Sequence, residues 1–290
     1  MQNRRSFLAA LGATAAGLAV GRRSADAFAA SDAPRNSKSG RISRVGLQLY
    51  TVRRLADEDL PGTLAQIAAI GYKEVELAGL YNRSAAEVHD LLARNGLAAP
   101  STHVPLTAIE GDSVKTFADA KTLGHQWITV PSLPQPRQMK LDTVDDWKAV
   151  AKRFNAAGAQ VKAAGYRFAY HNHNAELRNL GGGTTPLDVL ASETDPSLVS
   201  FEMDLYWVVN GGGDPLAFLA RYPGRYKMLH VKDSAGPEHK MADVGAGQID
   251  FKTIFSKAKG VEHYFVEHDQ PADPIASIAA SYKYLANLEF

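Results

Sequence analysis

Four short runs carry side chains that bind metals or move protons. They read Tyr170-His171-Asn172-His173-Asn174-Ala175-Glu176, Glu202-Met203-Asp204-Leu205-Tyr206-Trp207, Leu229-His230-Val231-Lys232-Asp233 and Val266-Glu267-His268-Asp269. Each closes an apolar stretch of strand length. One imidazole or carboxylate from each run, brought to a common rim, would surround a point and hold a divalent cation. Mixed His, Asp and Glu donors suit Mn²⁺, Zn²⁺, Co²⁺ or Fe²⁺ better than Ca²⁺, which prefers all-oxygen sites. Open positions on such an ion would accept substrate oxygens. A lone buried His is more often a hydrogen-bonded core residue, and a lone Asp at a strand end is more often the cap of the next helix. The joint pattern points to metal, because four independent caps would not need such groups at one layer. Asp269 and Asp273, beside Pro271 and Pro274, read instead as helix caps. His89, His125, His239 and His263 have no comparable setting and read as surface residues. The chain has no cysteine, which excludes thiolate ligands, cysteine nucleophiles and disulfides.

Elements that would place these groups can be read from the apolar pattern. Strands are expected at Val45–Tyr50, Glu74–Ala78, Ala99–Val104, Trp127–Pro131, Arg167–His173, Val199–Leu205, Lys227–Val231 and Tyr264–His268. Helices are expected between and after them, at Leu60–Ile70, Ala85–Arg94, Val114–Leu123, Val144–Ala164, Pro186–Ser192, Pro215–Ala220, Phe251–Ala258 and Pro274–Leu288. Several end at Gly, which takes the left-handed cap cheaply. Several later ones begin at Pro behind Asp or Thr, a helix-start signature. Alternating strand–helix units imply a parallel sheet. The alternative is an open doubly wound sheet. Eight units in a chain of this length favour a closed (β/α)₈ barrel. So do polar residues at nearly every strand end: Gln48, Glu76, His103, His171, Asp204, His230 and Glu267. In a barrel these converge on one mouth. No Gly-rich dinucleotide fingerprint follows the first strand.

The expected organisation has three parts: residues 1–30 as a cleavable signal, 31–43 as a flexible lead-in, and 44–290 as a single barrel domain. Asn3-Arg4-Arg5-Ser6-Phe7-Leu8, an Ala/Leu/Gly stretch and Ala27-Phe28-Ala29 have the form of a twin-arginine export signal. The 16 residues from Ser6 to Gly21, rich in Ala and Gly, make a poor membrane span. The protein is thus expected to be periplasmic or otherwise exported, with no stable span after cleavage. Losing residues 1–30 removes four Arg and one Asp and takes the formal charge from +1 to about −2. A slightly acidic chain argues against nucleic acid as partner.

The barrel from 44 to 288 resembles the xylose isomerase-like sugar phosphate isomerase/epimerase family. The resemblance rests on Val45-Gly46-Leu47-Gln48-Leu49-Tyr50-Thr51-Val52-Arg53, Glu74-Val75-Glu76, His171-Asn172-His173 with Glu176, Met203-Asp204, His230-Val231-Lys232-Asp233, Gly245-Ala246-Gly247-Gln248-Ile249-Asp250-Phe251 and Glu267. It implies one divalent metal held by Asp204, His230, Glu267 and a strand-five residue. Epimerases of the family place a glutamate at the strand-five position, paired with the strand-eight glutamate as acid and base. Here His171 stands in its place, so a second carboxylate base is missing. The implied chemistry is isomerase/epimerase-type: proton abstraction next to a carbonyl through a metal-stabilised enediolate. The departure favours a single-base variant, and β-elimination from a 3-keto-glycoside or keto-sugar is the alternative reaction. A non-catalytic sugar-binding barrel and a DNA-repair endonuclease are the rivals from other classes. On this reading His171, Asp204, His230 and Glu267 hold the metal. Glu267 doubles as base, and Lys232, His173 and Glu176 assist catalysis. Gln48, Tyr50, Arg53, Glu76, His103 and Trp207 line the pocket for a small sugar or keto-sugar, with Tyr206 a further stacking candidate.

Overall fold

A computed structural model describes residues 40–133 and 141–290. The signal assigned to residues 1–30, and the lead-in up to residue 39, lie outside the described residues. Eight parallel strands close a barrel: β1 (Gly46–Gln48), β2 (Glu74–Leu77), β3 (Ala98–His103), β4 (Trp127–Val130), β5 (Arg167–His171), β6 (Val199–Asp204), β7 (Tyr226–Val231) and β10 (His263–Val266). Each pairs with its neighbour in sequence, and β10 closes on β1 through Gly46–Phe265 and Leu47–Val266. Between β7 and β10 the chain adds a small antiparallel hairpin, β8 (Asp233–Ala235) and β9 (Lys240–Ala242).

Helices α1 (Arg53–Ile70), α2 (Ala85–Arg94), α4 (Val114–Leu123), α5 (Val144–Ala163), α6 (Pro186–Glu193), α8 (Pro215–Arg221), α9 (Phe251–Lys257) and α10 (Pro274–Asn287) are the eight expected ones. Two more are short: α3 (Leu106–Glu110) and α7 (Leu205–Asn210). Helix α1 starts earlier than its apolar spacing suggests. β1 runs straight into a 3-10 turn over Leu49–Val52, and the helix follows without a loop. A break at Asp59 (φ −148°, ψ 83°), two residues before Pro61, separates this first stretch from the expected one. Proline interrupts the helical hydrogen-bond ladder, and the preceding backbone turns away. The last residues of the presumed lead-in are tied down rather than flexible. Phe290 N donates to Gly40 O at 2.7 Å, Arg41 pairs with Glu289, and Ile42 packs against the core.

Side chains alternate across each strand, so every second residue fills the barrel. At the bottom His263 Nδ1 lies 2.8 Å from Glu74 Oε2. Above it Trp127, Ala169, Met228 and Phe265 form a dry floor from β4, β5, β7 and β10. Phe265 lies over Gly46, where an added Cβ would stand 2.4 Å from the ring. The next layer up is polar, and it opens at the C-terminal mouth, where barrel enzymes build their sites. His263, like His125, is therefore buried rather than on the surface. His125 Nδ1 is 2.6 Å from Ala99 O, and burial pushes its pKa down, so the neutral ring serves as a core hydrogen-bonding residue.

Candidate metal centre

Strand register places the chemistry. His171 of β5 pairs with Glu202 of β6, and Asp204 of β6 pairs with His230 of β7. Glu267 follows β10 directly, its N–H donating to Val231 O at 3.2 Å. His171, Asp204, His230 and Glu267 are all buried, and one donor atom from each lies within 4.8 Å of the others. Asp204 is also the helix cap that an isolated strand-end Asp suggests, since its Oδ1 accepts from Trp207 N at 2.8 Å. That leaves Oδ2 for the centre. Oδ2 is buried and accepts no hydrogen bond among the described residues; the Lys232 ammonium is 3.0 Å away but out of alignment. Asn172 Oδ1 accepts from Asp204 N at 3.1 Å and fixes this strand end against β5.

The four side chains have the donor set, spacing and burial of a site for one divalent cation. Burial lifts the Asp204 carboxyl above its usual range, with Lys232 opposing and Glu267 adding to the effect. Glu267 is held well below its usual range: burial works against its charge, but Lys232 and His230 outweigh it. Lys232 Nζ contacts Glu267 Oε2 at 2.8 Å and Asp269 Oδ1 at 2.8 Å. Asp269 is thus an ion-pair partner rather than a helix cap, whereas Asp273 does cap α10 through Ile275 N and Ala276 N. Asp233 is not a partner of Lys232. Its carboxylate accepts from the backbone of Ser234, Gly245, Gly247 and Ile249 at 2.7 to 3.1 Å. The Gly245–Phe251 signature is therefore a loop wrapped around one buried acid.

At the rim His173 stands edge-on to His171, with ring centroids 4.9 Å apart, and lies 5.6 Å from Trp207. Burial, then the Lys232 charge, lower its pKa to about 4, so the ring is neutral at physiological pH. Trp207 has Lys232 Nζ 5.4 Å over its ring, and its own Nε1 has no hydrogen-bond partner among the described residues. Tyr50 is exposed, and the Arg53 guanidinium stacks on it at 3.9 Å while donating to Tyr50 O and Asp269 O. Glu176 is not brought into the centre. Its Oε1 accepts from Tyr170 Oη and its Oε2 from His173 N, both at 2.8 Å, so it sets the turn that carries His173. Tyr206 Oη donates to His239 O, bracing the hairpin.

Gln48, Glu76 and His103 lie in the polar layer beneath. Glu76 Oε2 is 2.7 Å from His230 Nε2 and 2.6 Å from Gln48 Nε2, and Oε1 accepts from Ser101 Oγ at 2.6 Å. His103 Nε2 is 3.1 Å from both Glu76 Oε2 and Glu202 Oε2. Burial disfavours its charge, but Glu76 and Glu202 outweigh that and raise its pKa to about 9. Glu202 joins His103, His171 and His230 in a second group whose donor atoms lie within 4.8 Å. Glu202 is not among the residues that the sequence pattern singles out. The available signal was its spacing: two residues before Asp204 on one strand, hence on the same inward face.

A closed parallel barrel with a buried His/carboxylate cluster at its C-terminal mouth defines a class: (β/α)₈ enzymes built around such a centre. The chain belongs to the xylose isomerase-like TIM barrel family, whose model matches residues 64–288. It is 27% identical over 263 residues to the inosose dehydratase of Lacticaseibacillus casei, covering 76% of this chain and 86% of that protein. It superposes on a sugar phosphate isomerase/epimerase from Parabacteroides distasonis with a TM-score of 0.73, at 28% identity over 87% of this chain and 96% of that one. The 3-keto-D-glucoside 4-epimerase of E. coli shares the fold at a TM-score of 0.63 and 17% identity, covering 84% and 98% of the two chains. These relationships place the chain among enzymes of the isomerase/epimerase or lyase type.

Proposed function

We propose that the protein is a divalent-metal-dependent lyase acting on a polyhydroxylated ketone, a keto-sugar or cyclic keto-polyol, by proton abstraction next to the carbonyl and loss of a β-oxygen substituent. The observation that carries this reading is the convergence of His171, Asp204, His230 and Glu267 within 4.8 Å at the mouth, where Lys232 and His230 meet Glu267 through Oε2 and leave its Oε1 to serve as base. Asp204 is assigned to the ion instead, with its Oδ1 on the cap of α7 and its Oδ2 turned to the centre. Glu176 is spent on Tyr170 and the His173 backbone. Two-base epimerisation would need a second carboxylate where His171 stands. The inosose dehydratase relatives favour the same outcome.

A cation held by the four residues would supply Lewis-acid polarisation of the carbonyl and an adjacent hydroxyl oxygen. Glu267 takes the proton on the carbon between the carbonyl and the leaving group. The C–H electron pair becomes the new C=C bond, and the β-carbon–oxygen bond breaks. The departing oxygen keeps its electron pair, takes the proton that Glu267 has just accepted, and leaves as water or an alcohol. Lys232, positive and aimed at the same rim, stabilises negative charge that develops on the carbonyl oxygen. His173, neutral and between His171 and Trp207, is placed to hydrogen-bond a substrate hydroxyl, and Trp207 offers a face for the ring.

Metal analysis of the purified protein, followed by incubation of keto-sugars and their glycosides with Mn²⁺, Co²⁺ or Zn²⁺ in D₂O, tests the reading. Release of water or an alcohol with loss of its mass from the substrate is the expected result. Deuterium uptake into an otherwise unchanged skeleton would show isomerase or epimerase chemistry instead. Asp204→Ala should lose the ion and the activity while keeping its circular dichroism. A folded Asp204→Ala protein that retains its ion sinks the ligand assignment.

A further inference from the structure

Each imidazole of the centre has two ring nitrogens, and only one can face an ion. His230 Nδ1 is 2.8 Å from Glu267 Oε2, on the centre side, while Nε2 is 2.7 Å from Glu76 Oε2 and 3.1 Å from Glu202 Oε2. His171 is turned the other way. Its Nε2 is 3.9 Å from Asp204 Oδ2, and its Nδ1 is 3.2 Å from Glu202 Oε2. That second approach is bent away from hydrogen-bond alignment, and His171 Nδ1 makes no hydrogen bond among the described residues. Glu76 and Glu202 are fully buried, so neither is available to substrate. Both lie one layer below the centre, and the β5–β6 register sets Glu202 directly beside His171. β6 thus supplies a ligand, Asp204, and two residues earlier the acid that faces its neighbour strand's ligand.

We propose that Glu76 and Glu202 are positioning residues that fix which nitrogen of His230 and of His171 is presented to the ion. Glu76 takes the Nε2–H of His230, leaving Nδ1 as the ligand. Glu202 Oε2, 3.2 Å from His171 Nδ1, accepts the Nδ1–H once the ring turns into line, leaving Nε2. His103, between the two acids, offsets their mutual repulsion. Carboxylates behind metal-bound imidazoles fix the tautomer and raise ligand basicity, and losing one typically weakens metal binding about 10- to 100-fold.

The same inner atoms have the spacing of a second cation site, formed by His103, His171, Glu202 and His230. Filling both sites at once would require His171 and His230 to bind through both nitrogens, each surrendering its last ring proton. A hydrogen-bonded layer carries no such cost, so one ion per chain is expected.

The proposal rests on the metal centre proposed above, and its test separates the two. Calorimetric titration with Co²⁺, together with the visible spectrum of the bound ion, is compared for the wild type, Glu76→Gln, Glu202→Gln, Glu202→Ala and Asp204→Ala. Melting in EDTA checks each fold. The wild type should bind one equivalent. Glu202→Ala should bind about 10- to 100-fold more weakly with an altered spectrum, and the Gln variants, which keep an acceptor, should fall between. ¹⁵N-histidine NMR of the metal-free wild type should show His171 protonated on Nδ1. This readout needs no variant to fold. Unchanged affinity and spectrum in Glu202→Ala, or an Nε2–H tautomer for His171, overturns the positioning role alone. A second equivalent of Co²⁺ in the wild type that disappears in Glu202→Ala overturns it in favour of an inner metal site. A wild type that binds no ion, or an Asp204→Ala protein that binds as tightly as wild type, overturns the metal centre itself and this proposal with it.

Discussion

Asp233 follows directly after Lys232 in the chain, yet it is Asp269, 37 residues away, that meets the ammonium. Asp269, with Glu267, balances the ammonium, while Asp233 turns away and collects the N–H of Ser234 and three more backbone N–H groups from the loop that precedes α9. The glycine at 247 is needed for that. A Cβ there would stand 2.2 Å from Asp233 Oδ1 and 2.5 Å from Ser234 O. Neither can retreat without breaking the cage. Gly247→Ala should therefore cost about 1 to 3 kcal/mol by overpacking, read as a lower urea midpoint with an unchanged slope. A variant as stable as wild type would mean that the loop tolerates a different path. At this scale the sequence was legible where several residues of one chemistry recur, as at His171, Asp204, His230 and Glu267. It was not legible where a role depends on distant partners. His125 and His263 carry no local mark of burial, Asp269 looks like a cap beside Pro271, and Glu202 reads as a strand residue until β5 is placed next to it.

Elements were easier to read than residues because their signals are local. Most of the barrel strands have a cluster of apolar residues, and the Gly and Pro punctuation that bounds the helices acts within a few residues. The short helices α3 and α7 and the β8–β9 hairpin were not seen. Five or six residues cannot show a helical period, and α7 exists because Asp204, positioned by the barrel, caps it. Helix α6 shows how much a good start signal fixes. Thr185 Oγ1 accepts from Asp188 N at 3.1 Å, and Asp188 Oδ2 accepts from Thr185 N at 3.1 Å, a reciprocal cap. Asp188 Oδ1 also meets Arg221 Nη1 at 2.5 Å and Tyr222 Oη at 2.9 Å, which ties α6 to α8. Burial opposes its charge, but the hydrogen bonds from Thr185, Tyr222 and Arg221 outweigh that and hold its pKa below the ordinary value. A carboxyl depressed in the folded state contributes stability that is fully present above its unfolded pKa, about 3.9, and is lost as pH falls through the folded value. The stability difference between wild type and Asp188→Asn should thus be constant near neutrality and shrink below about pH 4. Urea unfolding at a series of pH values measures it. A difference that persists undiminished to pH 2 would show that the charge contributes nothing and that shape alone matters.

The whole barrel is organised as a dry floor beneath a charged mouth, and this arrangement carries a thermodynamic consequence. Trp127, Ala169, Met228 and Phe265 exclude water from below, so the acids above them cannot be relieved by solvent. Glu76, Glu202, Asp204 and Glu267 are buried together with His171, His230 and Lys232, and the half-buried His103 adjoins them. Unpaired buried charge is costly, and the cluster is balanced only if imidazoles protonate or a cation enters. A divalent ion that binds only the folded state adds stability of RT ln(1 + [L]/Kd), about 2.7 kcal/mol at a hundred times Kd. For a chain of this size each kcal/mol moves the midpoint by about 2 to 4 °C. Thermal melting should therefore rise by roughly 5 to 10 °C between EDTA and saturating Mn²⁺ or Co²⁺, and the increment should grow with the logarithm of free ion. Asp204→Ala should melt at one temperature regardless of metal. If the wild type behaves that way too, the imidazoles rather than an ion balance the mouth. Its acids would then be a hydrogen-bonded network, leaving the barrel without the electrophile that the proposed elimination requires.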